Sequence, residues 1–155
     1  MAHFAELKSM TDPTGFTSDT HQVVQRVVVV GNDIAAGSGT LGDNDMHVDG
    51  ETWCINFFKG GSWKQTSYNN NFRKQYCGIG FVYDSTKDKF LSPQPWASWS
   101  LNGDDDWQAP VTYPTDTTDK KISWDEPNLR WTAEDMQDPP NNFNWDASAL
   151  AWVSA

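Results

Sequence analysis

Only two cysteines, Cys54 and Cys77, occur in 155 residues. A lone pair does not make a disulfide framework. Two free, largely buried thiols in a reducing compartment are expected, with a single bridge as the alternative. Apolar runs are short. Val27–Val30 is only four residues, far below the ~20 that a membrane helix needs. The opening Met1-Ala-His-Phe-Ala-Glu-Leu-Lys8 has no apolar core of the secretory kind. A soluble protein made in the cytosol, with no membrane partner, is the expectation. Basic residues are few as well: 11 against 21 acidic, a net charge of −10. Neutralising phosphates takes clustered Lys and Arg, so nucleic acid is not an expected partner.

Chemical motifs are also missing. No Gly-rich phosphate loop with Lys-Ser/Thr occurs. A Gly-x-Ser-x-Gly elbow is absent. His3, His21 and His47 are scattered, and no Cys-x-x-Cys supports zinc. Asp43, Asp45 and Asp49 invite a calcium reading, but the central Gly and distal Glu of an EF-hand are lacking. An acidic loop explains them better. Asp104-Asp105-Asp106 reads as an exposed acidic turn rather than a glycosidase pair, which needs carboxylates set ~5–9.5 Å apart by the fold. No catalytic, cofactor or metal residue is assigned, and the chain is not expected to be an enzyme.

What is abundant is aromatic. Rings make up 14% of residues, including nine Trp, while mean hydropathy is −0.66. Rings that bury ~150–250 Å² each must therefore supply much of the core. One pattern recurs: an aromatic or apolar residue, then Asp or Asn, a few polar residues, and a closing aromatic. It runs from Tyr83-Asp84 to Phe90, Leu101-Asn102 to Trp107, Trp124-Asp125 to Trp131, and Trp145-Asp146 to Trp152. Each reads as a β-hairpin. The Asx side chain turns the backbone, and the rings face each other across antiparallel strands.

Residues 3–8 and the β-branched run from His21 to Val30 read as a first hairpin across a turn-rich Thr11–Thr20. Glu51–Lys59 is the one helix expected. Asp49 would cap it, Gly60-Gly61 would stop it, and its apolar face would lie against Val27–Val30. Trp63–Tyr68 and Cys77–Tyr83 read as further strands around a turn at Asn69-Asn70-Asn71. Gly78 and Gly80 suggest a close approach. The expected fold class is mainly β, α+β with one short helix, built as an antiparallel sheet with Trp-rich hairpins. A main domain is expected over 1–115 and a Trp-rich hairpin arm over 116–155. Charge divides unevenly: net −6 over residues 1–51, +4 over 52–91 and −8 over 92–155. A basic middle between acidic flanks suits packing of the chain on itself, or on identical or acidic neighbours, with a solvated surface of uneven charge as the equal alternative.

Several stretches carry a resemblance. Met1-Ala-His-Phe-Ala, Gly61-Ser-Trp-Lys-Gln-Thr-Ser-Tyr-Asn, Phe72-Arg-Lys, Gly78-Ile-Gly, Tyr83-Asp84 and Trp107-Gln-Ala-Pro resemble a family of small virion-associated proteins of marine tailed bacteriophages, of the cyanophage type. Phe90, Pro93, Pro95 and Tyr113-Pro114 extend it, so that it covers most of residues 1–115. The resemblance implies a virion component made in the host cytoplasm: a capsid decoration protein, or an accessory of the tail, fibre or baseplate. Its partners would be other virion proteins, capsid or tail subunits, or copies of itself as a homo-oligomer. Trp53, Trp63 and Trp107 read as core. Trp96, Trp99, Trp124, Trp131, Trp145 and Trp152 are too many for a small core to hide, and are the expected interface anchors. Two other classes are weighed. A carbohydrate-binding or host-receptor module would lay flat rings on sugars, and a lytic enzyme would turn over cell wall.

Overall fold

The computed structural model describes residues 1–31 and 49–155. The chain is mainly β, with one helix among the described residues, as the composition leads one to expect. It divides into two compact units, Met1–Pro93 and Gln94–Ala155.

In the first unit, β1 (Ala2–Thr11) and β2 (Thr20–Val30) form the expected hairpin. Asp12 organises its turn. One carboxylate oxygen accepts from the Thr14 N–H and hydroxyl, and the other from the Phe16 and Thr17 amides. β3 (Ser62–Thr66) pairs with β1, while β4 (Val82–Asp84) pairs with β2 and with β5 (Lys89–Leu91). The antiparallel order is β3-β1-β2-β4-β5.

Side chains alternate across a strand, and here both faces are covered. Ala2, Phe4, Val30, Cys54 and Trp63 make one buried cluster. Ala5, Leu7, Val24, Cys77, Tyr83 and Phe90 make the other. This is why β1 shows no clean apolar–polar alternation in sequence. A bulge between Glu6 and Leu7 skips Gln25 on β2, and the Arg26–Glu6 ion pair at 2.6 Å sits beside it. The Arg26 guanidinium also lies over the rings of Phe58, 4.6 Å away, and Trp63, 5.3 Å away.

The helix α1 (Gly50–Phe57) occupies the expected place, but its bed differs. It packs chiefly on β3 and then β1, and only Val28 and Val30 of the Val-rich strand join its cluster. Asp49 does not cap it through its side chain. Its backbone is already helical, at φ −105° and ψ 0°, whereas a capping side chain needs an extended residue. Gly50 is required by packing. A Cβ there would lie 2.0 Å from Cζ of the fully buried Phe4.

The expected strand over Cys77–Tyr83 is mostly irregular, and only Val82–Asp84 is strand. The Phe81 amide donates to the Gly78 carbonyl, with Gly80 at φ +85°. These glycines serve a turn rather than a close approach, because a Cβ at either position would make ordinary contacts of 3.5 Å or more. Asn70, at φ 59°, marks the expected Asn turn.

In the second unit, β6 (Ser100–Leu101) pairs with β7 (Trp107–Gln108). A separate antiparallel sheet runs β8 (Lys120–Asp125), β9 (Arg130–Asp135), β10 (Asn142–Asp146) and β11 (Ala151–Ser154), in the order β11-β10-β9-β8. The division therefore falls at Pro93 rather than after 115. The reason is packing. Trp99, Ala109 and Val111 join the Trp124–Trp131–Trp145 cluster. The Trp131 and Trp152 indoles donate to the Val111 and Asp116 carbonyls at 2.9 and 2.8 Å.

All four repeats are hairpins, with Tyr83↔Phe90, Leu101↔Trp107, Trp124↔Trp131 and Trp145↔Trp152 as direct partners. The opening Asx takes the turn amides in three of them. Asp84 accepts from Thr86 and Lys87, Asn102 from Asp104 and Asp106, and Asp146 from Ser148 and Ala149. Asp125 instead holds the Asn128 amide and the Arg130 guanidinium. Each loop ends on a left-handed residue: Asp88, Asp105, Leu129 or Leu150, at φ of 49° to 62°. A type I turn followed by such a residue returns the chain in a short hairpin.

Candidate functional site

The six Trp residues expected as interface anchors separate. Trp124, Trp131 and Trp145 are core, 6–8% exposed. Trp99 and Trp152 are half-buried against them. Trp96 alone is well exposed, at 40%. One sheet face and the segment that covers it suffice to hide five indoles, because the rings pack edge to face. The centroid of Trp131 lies 5.0 Å from that of Trp124, 5.9 Å from Trp99 and 4.9 Å from Tyr113. Of the three Trp residues read as core, Trp63 is buried, while Trp53 and Trp107 are half-buried. The expected acidic turn is also split, for Asp105 is buried while Asp104 and Asp106 are exposed.

Two surfaces in the structure suit binding. The first lies on residues 1–93. Tyr68 stacks on His3 at 5.4 Å, and Tyr76 meets both edge-on, at 5.4 and 5.5 Å. Val29, the cross-strand partner of His3, stands beside them. Tyr68 and Val29 are 67% and 54% exposed, so this is an apolar surface stiffened by its own ring contacts. Burial, then the charge of the chain's amino terminus, pushes the His3 pKa down. That favours the neutral, less hydrated imidazole.

The second lies on residues 94–155. A cleft of about 380 Å³ is lined by Trp99, Trp107, Gln108, Ala109, Thr112, Tyr113 and Trp131. It sits where the β6–β7 hairpin and the following Ala109–Tyr113 segment lie over the Trp cluster. The sequence pointed to Trp99 and Trp131 here, but not to Gln108, Thr112 or Tyr113. Their only signal was a polar residue and a Pro-flanked aromatic just after a Trp hairpin.

A polar network knits the first unit. Arg73, whose side chain is 9% exposed, donates to Glu51 Oε1 and to the Gln65 carbonyl, both at 2.8 Å, and to Asp88 Oδ1 at 2.7 Å. Glu51 also takes the Gln65 amide and the Lys64 ammonium, and the Tyr83 hydroxyl donates to Asp88. Across the sheet, the Phe90 amide donates to the Arg73 carbonyl, and Gln75 donates to the Phe90 carbonyl. The segment from 67 to 81 thus ties the edge strand β3 to the edge strand β5. In this way the basic middle does pack against acids of its own chain.

Among the described residues no three His, Cys, Asp or Glu side chains gather as a metal site. Asp43 and Asp45, from the calcium reading, lie outside the described residues. No described helix is long and apolar enough to cross a membrane.

Cys54 and Cys77 are free, buried and in different clusters. Burial pushes each thiol up to about 11, with Glu51 adding to the effect at Cys54. A thiolate is the reactive form. A disulfide-exchange reagent at pH 8 is therefore expected to label neither thiol in the folded protein and both in denaturant. Fast labelling of either in the folded protein would contradict this burial.

Searches of protein-family models, curated proteins and solved structures each gave no match.

Proposed function

We propose that this chain is a non-enzymatic structural accessory of a tailed-bacteriophage particle that decorates the capsid. The observation that carries the reading is the stiffened surface of His3, Val29, Tyr68 and Tyr76. Exposed aromatic patches are typical of partner surfaces, and Tyr is enriched among residues that dominate binding energy. Because those rings already hold one another, little side-chain freedom is lost on docking.

The resemblance to virion proteins supports the same reading. Trp63, Arg73, Tyr83, Asp84 and Phe90, all within it, build the frame of the first unit rather than a reactive pocket. Docking shifts from the Trp residues of the second unit, which its core largely consumes, to this Tyr-rich face. A tail, fibre or baseplate position is the alternative placement for the same surface.

The test is immunogold labelling of assembled particles with wild-type chain and with Tyr68→Ala. Gold over the head shell is expected for wild type. Tyr68→Ala is expected to lower the particle-bound fraction at least about tenfold while its thermal midpoint stays within a degree or two, since the ring is mostly exposed. Gold confined to the tail would overturn the capsid placement. Undiminished incorporation of Tyr68→Ala would overturn this docking surface.

A further inference from the structure

We propose that the cleft of residues 94–155 is a saccharide site, one that takes a neutral hexopyranose unit between Tyr113 and the Trp107 side of the β6–β7 hairpin. The inference does not depend on capsid docking, which uses a different unit and different residues.

The lining supplies the two chemistries that a sugar requires. A pyranose has a face of C–H groups and a rim of hydroxyls. Aromatic faces carry negative charge density that attracts such polarised hydrogens, and they bury apolar area. Trp99, Trp107, Tyr113 and Trp131 provide those rings around one cleft. Tyr113 is 53% exposed, so its ring is available at the entrance. The T-shaped contact of Tyr113 with Trp131, at 78°, fixes its orientation before any ligand arrives.

The rim is polar where hydroxyls would fall. Gln108 and Thr112 line the cleft, and neither side chain is hydrogen-bonded to another described residue. An amide offers both donor and acceptor, and a threonine hydroxyl likewise. A few convergent polar groups on a largely aromatic wall are what orients a small ligand. The volume sits near the lower end of the ~300–1,000 Å³ usual for such sites, which suits a mono- or disaccharide rather than a long chain.

Charge selects among sugars. Residues 94–155 hold 11 acidic and 3 basic side chains, and no Lys or Arg lines the cleft. A carboxylated or sulfated sugar would meet a repulsive field with no cation to receive it. A protein helix or strand would need a longer apolar groove than this one.

The experiment titrates the full-length protein with maltose, cellobiose, lactose and sialyllactose. It reads Trp fluorescence together with saturation-transfer NMR on the sugar protons. Saturable binding of at least one neutral disaccharide is expected, with transfer strongest to the axial C–H protons. Sialyllactose is expected to bind at least about tenfold more weakly than lactose. Tyr113→Ala should weaken binding at least about tenfold, Tyr113→Phe should stay within about threefold, and Gln108→Ala should fall between them. Tyr68→Ala, on the other unit, should bind as wild type does. No saturable binding by any of the neutral sugars, preference for sialyllactose, or unchanged affinity in Tyr113→Ala would each overturn the proposal.

Discussion

Trp131→Ala is expected to unfold residues 94–155 while leaving residues 1–93 folded. Trp131 is 7% exposed, touches Trp99, Tyr113 and Trp124, and donates its indole N–H to the Val111 carbonyl. Truncating a buried Trp typically costs about 3–5 kcal/mol, part of it from the cavity left behind. A unit of 62 residues has a total stability of only ~3–9 kcal/mol, so the loss is comparable with the whole. Hydrogen exchange resolved by peptide is the measurement. Peptides from β8 to β11 should lose protection, whereas those from β1 and β2 should keep theirs. Equal loss in both units would show that the two do not fold separately.

Trp99→Phe provides the contrast. The Trp99 indole N–H is enclosed and has no partner among the described residues. Removing an unsatisfied donor is close to neutral, so the substitution should be far milder than Trp131→Ala.

Arg73→Met is expected to destabilise residues 1–93 by about 2–3 kcal/mol. Met keeps much of the apolar stem but removes every donor. The Gln65 carbonyl then loses its partner, and Glu51 and Asp88 lose their guanidinium. The value is set below the ~3–5 kcal/mol for breaking a fully buried pair, because Asp88 is 54% exposed and keeps access to water. A urea midpoint, with exchange at the Gln65 amide, reports it.

Acid should act on the same network. Burial opposes charge on Asp88, but the Tyr83 hydroxyl and the Arg73 guanidinium outweigh it and hold its carboxyl below the ordinary 3.8. A carboxylate whose folded pKa is depressed contributes stability above its unfolded pKa. That contribution is lost as pH falls through the folded value. The first unit should therefore weaken below about pH 4, and less so in Asp88→Asn. An acid response unchanged in Asp88→Asn, or an Arg73→Met protein as stable as wild type, would remove the network from any structural role.

The hairpins were fully legible in the sequence because their cause is local. An Asx that satisfies turn amides and two rings seven residues apart, as in Trp124 and Trp131, lie within one short stretch. The helix position was legible for the same reason, through Cys54, Phe57 and Gly60. What escaped was set by distance along the chain. The helix docks on Trp63 and Phe4, which its own periodicity does not name. Residues 77–81 carry strand-like composition, yet their turn hydrogen bonds and those to Thr66 and Val24 hold them off the ladder. The Trp anchors misled because exposure is a property of the partner surface. Nothing in Trp145 itself reveals that Trp131 and Trp152 flank it. Tyr68, Tyr76 and Tyr113 acquire meaning only through His3 and Trp131, which lie far away in sequence.

The order β11-β10-β9-β8 joins each strand to its neighbour in sequence. Every pairing in that sheet closes a loop of only a few residues, so little chain entropy is spent before a contact forms. The first unit differs. β3 joins β1 across some fifty intervening residues, from Thr11 to Ser62. Folding speed follows such separations. The sheet of β8 to β11 is thus the part able to fold soonest, with the slower closure of β3 onto β1 setting the pace for the whole.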